Sequence, residues 1–271
     1  MVSFPNAKIN LGLNIVSKRP DGYHNISSVF YPVGWCDVLE IIPSERLKFT
    51  SSGIDIPGAS SDNLCVRAYH LLNEEHKIPP VHIHLHKVIP IGAGLGGGSA
   101  DCAFTLTMLN ELFSLGLDNK NLEQKAGMLG SDCPFFIQNQ PVMVSGTGDE
   151  FASVNLNLTG KTILLVYPNL HIPTSEAYAG IIPVQTDLPI DHVITQPMSN
   201  WKELLQNDFE KPIGGKHPQI TRIKEDLYTK GAAYAAMTGS GSTVFGIFDQ
   251  SIDSSTLEHF SELGSIWTGP L

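Results

Sequence analysis

Residues 90–100 read PIGAGLGGGSA. Gly92, Gly94, Gly96, Gly97 and Gly98 carry no Cβ, and Ala93 carries only a methyl. Backbone that bare admits close approach to its amides. The preceding segment, VHIHLHK, alternates apolar residues with histidine, the pattern of a strand with one wet face. The following one, residues 99–113, has no Gly or Pro and is apolar nearly all round, the pattern of a buried helix. A glycine loop between a strand and a helix N-terminus is suited to anions, because amides converge there and the helix dipole adds positive charge. Ser99 is placed to cap the helix or to touch a phosphate or its metal ion. No lysine follows the glycines, which excludes a P-loop. Gly92, Gly94 and Gly97 spell a dinucleotide fingerprint, but a second helix follows where a βαβ unit needs a strand.

Other residues carry chemistry only in context. Lys8 lies mid-strand in AKINLGLN, with Asn10 on the same face. Asp132 in GSDCPFF is a carboxylate beside an apolar wall, a favourable setting for a functional acid or base. Taken alone, Lys8 reads as the polar face of a strand and Asp132 as a turn cap. Tyr23 and His24, which follow an Asp21-Gly22 turn, read alone as strand packing. His82, His84 and His86 share one strand face about 7 Å apart. No cysteine or carboxylate cluster accompanies them, so a solvated face is expected and no protein metal site.

Three motifs in order resemble the GHMP kinases: Pro5-Asn6-Ala7-Lys8-Ile9-Asn10, PIGAGLGGGSA, and Thr238-Gly239-Ser240-Gly241-Ser242. AKINLGLNI, RPDGYHNISSVF, GLGGGSAD, LGSDCPFF and NDFE narrow the resemblance to members that phosphorylate a CDP-linked methylerythritol. The resemblance implies two α+β domains with the active site in the inter-domain cleft. It implies an ATP-dependent transfer to a tertiary hydroxyl, with Mg²⁺ accompanying ATP. It makes Lys8 and Asp132 catalytic, the aspartate accepting or orienting the hydroxyl proton and the lysine polarising the hydroxyl. Pro90, Ile91, Gly92, Ala93, Gly94, Leu95, Gly96, Gly97, Gly98, Ser99 and Ala100 would wrap ATP, with Asn63 on the adenine side and Lys87 towards the phosphates. Asn10, Tyr23, His24, Phe30, Tyr178, Gly239, Ser240 and Gly241 would hold the acceptor, Tyr23 by stacking on the cytosine and His24 by bonding its edge. Kinases of other acceptors and a silent nucleotide-binding protein are the rival readings.

The elements that must position these residues are mixed. AKINLGLNIV and the segment after the Asp21-Gly22 turn read as paired strands. Asp62 is placed to cap a helix carrying Leu64, Ala68, Leu71 and Leu72, and Asp118 to cap another. In the second half, one helix carries Trp201, Leu204, Leu205 and Phe209, and a later one Ile220, Ile223 and Leu227. MTGSGSTVFGIF reads as a turn between strands, and a short helix precedes a final IWTG strand. No βαβ rhythm appears, so the class is α+β. TGDEFASVNLNLTG is the expected boundary, giving an ATP-binding domain over 1–155 and a C-terminal domain over 156–271, the final strand free to return to the first.

The chain has 271 residues, is 42% hydrophobic and carries a net charge of −10. That composition suits a globular protein with its own core. The acidity disfavours nucleic acid and anionic membrane as partners. The longest apolar run is too short for a bilayer. Four cysteines with no C-x-x-C pair suit a reduced, cytoplasmic protein. Small-molecule substrates and a monomer or homodimer are expected.

Overall fold

The structure, a computed structural model, describes residues 1–179, 181–183 and 188–271. The chain divides into two compact units that interleave in sequence: residues 1–7, 35–91 and 96–140 form one, and 8–34, 92–95 and 141–271 the other. Packing therefore does not follow a single boundary near residue 155. The reason is long-range pairing, since the strand His24–Cys36 pairs with Val142–Ser145.

The first unit holds a four-stranded sheet in the order Val2–Ser3, Val38–Pro43, Val81–Lys87, Lys48–Gly53, its last joint parallel. Val81, Ile83 and Leu85 point into a core shared with Leu39, Ile41 and three helices, Leu64–His76, Gly97–Leu112 and Asn119–Gly127. On the opposite face, Thr50 Oγ1 lies 2.8 Å from both His82 Nε2 and His84 Nδ1. Ser52 Oγ lies 3.1 Å from His84 Nε2 and 2.9 Å from His86 Nδ1. The three imidazoles thus form a hydrogen-bonded row with two hydroxyls.

Two expected caps change. Asn63, not Asp62, caps Leu64–His76, its Oδ1 accepting the Cys65 N–H. Asp62 belongs to the preceding 3-10 turn Ser60–Asp62, while Asn63 takes the extended backbone a cap needs. Gly96, at φ 70°, caps Gly97–Leu112, which leaves Ser99 inside the first turn. Asp118 does cap Asn119–Gly127, accepting the Asn121 N–H.

The second unit holds two four-stranded sheets. One runs Asn6–Lys18, His24–Cys36, Val142–Ser145, Glu150–Ser153. Its first hairpin turns at Gly22, φ 89°, where Arg19 N donates to Tyr23 O. Glu150–Ser153 is a strand inside the stretch expected to be turn, held by pairing with Val142–Ser145. The other sheet runs Tyr234–Met237, Val244–Phe248, Thr162–Tyr167, Ser265–Pro270. The final strand pairs antiparallel with Thr162–Tyr167 and so stays within this unit. The helix expected from Trp201 to Phe209 is broken into Trp201–Leu204 and Glu210–Lys216. Asn207 and Asp208, lying between the two pieces, bond to other backbone segments instead of continuing a helix.

Candidate active site

In the first unit a buried charge cluster links the strand before the glycine stretch to the helix after it. Asp37, fully buried, accepts the N–H groups of Val88 and Ile89 on Oδ1, at 2.6 and 2.8 Å. Lys87 Nζ lies 2.5 Å from Asp37 Oδ2 and 2.7 Å from Asp101 Oδ2. Lys87, expected to reach phosphates, is instead 3% exposed and held by two carboxylates. It shares strand parity with Val81, Ile83 and Leu85, so its side chain enters the core, where an ammonium needs partners. That parity was visible in VHIHLHK; Asp37 and Asp101, its partners, carried no comparable signal.

Burial alone would push the Lys87 ammonium down, but Asp101 and Asp37 outweigh it and hold it above its ordinary value. Two carboxylates against one ammonium leave one negative charge in excess. Burial pushes the Asp101 carboxyl up to about 7, against the pull of Lys87 and with Asp37 adding to the rise. Asp101 Oδ1 is buried without a hydrogen-bond partner among the described residues, which suits a carboxyl that keeps its proton.

The loop's glycines serve different ends. Gly92 and Gly94 have φ of 65° and 80°. A Cβ on Gly92 would sit 2.4 Å from His171 Nδ1, and one on Gly94 2.2 Å from Thr238 O. Backbone packing requires Gly94 to be bare, while Gly92 is favoured by its positive φ and meets only the exposed His171 ring. A Cβ on Gly97 would come within 3.0 Å of Lys87 Nζ. Gly98 is exposed, has no positive φ, and a Cβ there meets nothing within 4 Å. Ala100 N is the first amide to bond within the helix, to Gly96 O, so those of Gly97, Gly98 and Ser99 have no helical acceptor. No acidic side chain stands in that first turn. Pro90, Ala93, Leu95 and Ala100 are buried and Ile91 half-buried. The loop therefore offers an anion its backbone more than its side chains.

Asp132 is half-buried in the segment between Asn119–Gly127 and Phe135–Gln138, beside the buried Cys133, Phe135 and Phe136. The Asn63 carboxamide oxygen is committed to its helix cap.

In the second unit, Lys8 is 3% exposed on Asn6–Lys18. Its Nζ donates to Asn10 Oδ1 at 2.6 Å and sits 4.5 Å from the Phe30 ring centroid. Phe30, expected in a nucleoside pocket, is buried and supports the lysine by a cation–π contact. Asn10, expected to touch substrate, is 1% exposed and committed to the protein. Its Nδ2 donates to Ser28 Oγ, and its backbone N–H donates to Thr238 Oγ1 at 3.0 Å. The Thr238 hydroxyl lies 3.1 Å from Gly94 O and 3.3 Å from Asn10 Oδ1, and can donate to either.

Thr238 opens the second glycine turn, in which Gly239 and Gly241 have φ of 56° and 91° and Ser240 is half-buried. A Cβ on Gly239 would lie 3.2 Å from Gly94 Cα. Thr243 N donates to Ala93 O, so turn and loop segment are joined backbone to backbone. Elsewhere in this unit the rings of His24 and Tyr178 stack at 4.8 Å, and Tyr178 meets Phe209 edge-on at 4.9 Å. Tyr23, expected to stack, is 67% exposed and stands outside this column.

Known proteins resemble the chain over its length. The profile described as GHMP kinases N terminal domain matches residues 63–146, and that described as GHMP kinases C terminal matches 193–264. The 4-diphosphocytidyl-2-C-methyl-D-erythritol kinase of Cytophaga hutchinsonii is 55% identical over 92% of this chain and 93% of its own. The protein of that name from Parabacteroides distasonis is 48% identical over the whole of both. A crystal structure of 4-(cytidine 5'-diphospho)-2C-methyl-D-erythritol kinase superposes with a TM-score of 0.87 at 29% identity, covering 99% of this chain and 98% of that one. Methanococcus jannaschii mevalonate kinase, at 14% identity and a TM-score of 0.73 over 99% and 96%, shares the fold.

Urea unfolding separates the glycines. Gly94→Ala is expected to destabilise severely, because a Cβ at Gly94 meets backbone and the positive φ is strained as well. Gly98→Ala is expected to leave the midpoint unchanged or raise it, since alanine is the better helix former by about 1 kcal/mol. Equal losses would contradict the distinction.

The charge cluster gives a pH dependence with a definite sign. A carboxyl raised from 3.8 to about 7 on folding binds more protons in the native state, so its stability contribution is lost as pH climbs towards 7. Measured at pH 5, 6, 7 and 8, the stability of wild type relative to Asp101→Asn is expected to decline to pH 7 and then level off. A constant difference would show that Asp101 does not titrate there. Lys87→Met, which leaves two carboxylates buried, is expected to cost about 3–5 kcal/mol.

Proposed function

The chain belongs to the GHMP kinases, and from that membership we propose that it transfers the γ-phosphate of ATP to the tertiary 2-hydroxyl of 4-diphosphocytidyl-2-C-methyl-D-erythritol. The products are the 2-phosphate and ADP, and the step belongs to non-mevalonate isoprenoid precursor biosynthesis. The observation that carries this reading is 48–55% identity, over 92% or more of the chain, to enzymes of that name.

Phosphoryl transfer asks a protein for positioning and charge stabilisation more than for covalent chemistry. In this proposal the amides of Gly97, Gly98 and Ser99, which have no helical acceptor, hold triphosphate oxygens, helped by the helix dipole. Gly98 is where a phosphate approaches most closely, since no packing demand explains its missing Cβ. Asp132 orients the acceptor hydroxyl and accepts its proton. Lys8 polarises that hydroxyl, its ammonium fixed by Asn10 and Phe30. Phe30 and Asn10 then act by holding Lys8, which revises the direct substrate contact the family resemblance implies for them. Tyr23, His24 and Tyr178 read the cytosine end, and Asn63 the adenine side.

Mg²⁺ arriving on the triphosphate supplies neutralisation of the transferring phosphoryl group. Among the described residues no group of three His, Cys, Asp or Glu can hold a metal ion, so the proposal places its ligands mainly on phosphate. No helix among the described residues is long and apolar enough to cross a membrane. We place the enzyme in the cytoplasm, with small-molecule partners.

Purified protein supplied with ATP, Mg²⁺ and a panel of acceptors is expected to release ADP with the CDP-linked methylerythritol and to be inhibited by CMP. Turnover on mevalonate or homoserine that ignores CMP would overturn the reading. Asp132→Asn is expected to lower kcat by about 10²–10⁴-fold. Gly98→Ala is expected to raise the KM for ATP while leaving the unfolding midpoint intact.

A further inference from the structure

The segment Asn207-Asp208-Phe209-Glu210 lies outside every role assigned above, yet its side chains grip three parts of the second unit. Asn207, 3% exposed, donates from Nδ2 to Met237 O and to Gly239 O, both at 2.8 Å. These two carbonyls flank Thr238. Asn207 Oδ1 accepts the Phe209 N–H at 3.0 Å, which fixes the amide's orientation and leaves both of its protons for the turn.

Glu210 takes the same residue, Oε1 accepting the Met237 N–H at 2.7 Å while Oε2 is held by Lys224. Asp208 grips the first strand. Its Oδ2 accepts the Ile15 N–H at 2.7 Å, its backbone N donates to Leu13 O, and Gln206 O accepts the Leu13 N–H. The segment thus sets the register between the strand that carries Lys8 and Asn10 and the turn that carries Thr238. Thr238 in turn bonds the Asn10 backbone and lies beside the Asn10 oxygen on which the Lys8 ammonium rests.

We propose that Asn207 is a positioning residue for phosphoryl transfer: its carboxamide brackets Thr238, and through Thr238 and Asn10 it fixes the place of the Lys8 ammonium. The inference rests on the kinase reading of Lys8. It adds that the donor hydrogens of Asn207, more than its bulk, are what the site uses.

Asn207→Asp tests this, because the side chain keeps its shape and its acceptor for Phe209 N while both donors are replaced by an oxygen facing two carbonyls. On the order of a 10- to 100-fold fall in kcat is expected, as two buried carbonyls lose their donor. Hydrogen exchange in the variant is expected to speed up at residues 237–241 and to stay unchanged in the strand Val81–Lys87. In a double-mutant cycle with Thr238→Val the two losses are expected to be strongly non-additive, since one acts through the other. Additive losses, or a kcat equal to wild type, would overturn the proposal. Should Asn207→Asp fail to fold, Asn207→Ser, which retains one donor, is expected to show an intermediate kcat, and wild-type kcat in that variant would also overturn it. Turnover by the wild-type protein tests the kinase reading itself. The exchange measurement needs no substrate, so the two failures are distinguishable.

Discussion

An ammonium buried between two carboxylates joins the strand before the glycine stretch to the helix after it, within the first unit. Asp37 holds Lys87 with one oxygen and the amides of Val88 and Ile89 with the other, while Lys87 reaches Asp101 on the helix beyond the loop. The cluster spans the loop from its strand to its helix. Once Lys87 is buried both carboxylates are needed beside it, because a buried charge without partners is too costly to keep. Burial and Asp37 raise the Asp101 carboxyl against the pull of Lys87, which favours a proton on the pair of carboxylates.

The loop's glycines divide into two classes. Gly94 is bare because the Thr238 carbonyl presses against it, and Gly92 holds a positive φ beside the His171 ring. Gly98 is bare towards open space. A glycine-rich stretch is commonly read as serving its ligand throughout. Here part of the bareness serves close backbone packing, and the amides left without a helical acceptor are those of the first turn of one helix.

In the second unit the polar groups are linked in series. Lys8 bonds Asn10, the Asn10 backbone bonds Thr238, and Asn207 bonds the carbonyls of Met237 and Gly239 on either side of Thr238; all four residues are buried. Buried polar networks hold a unique geometry only when their members are satisfied. Asn10 meets that requirement with both ends of its carboxamide, accepting from Lys8 and donating to Ser28.

Much was legible in the amino-acid sequence. The strand Val81–Lys87, the buried helix after the loop, the cap at Asp118 and the hairpin at Gly22 follow from local periodicity and turn chemistry. Three motifs in order placed the chain among the GHMP kinases. Local pattern did not reveal that Glu150–Ser153 is a strand, because its partner supplies the reason. It did not reveal that residues 8–34 pack with the second half of the chain. Nor did it show that Lys87 faces Asp37, fifty positions away, that Phe30 lies under Lys8, or that Asn207 closes on Met237 and Gly239. The sequence by itself determined the residue types, the faces they occupy and the family they mark, because those depend on neighbours along the chain. Tertiary structure alone decided which polar groups are committed to one another and which backbone remains open, because a buried hydrogen bond is settled by whatever atoms folding brings within about 3 Å.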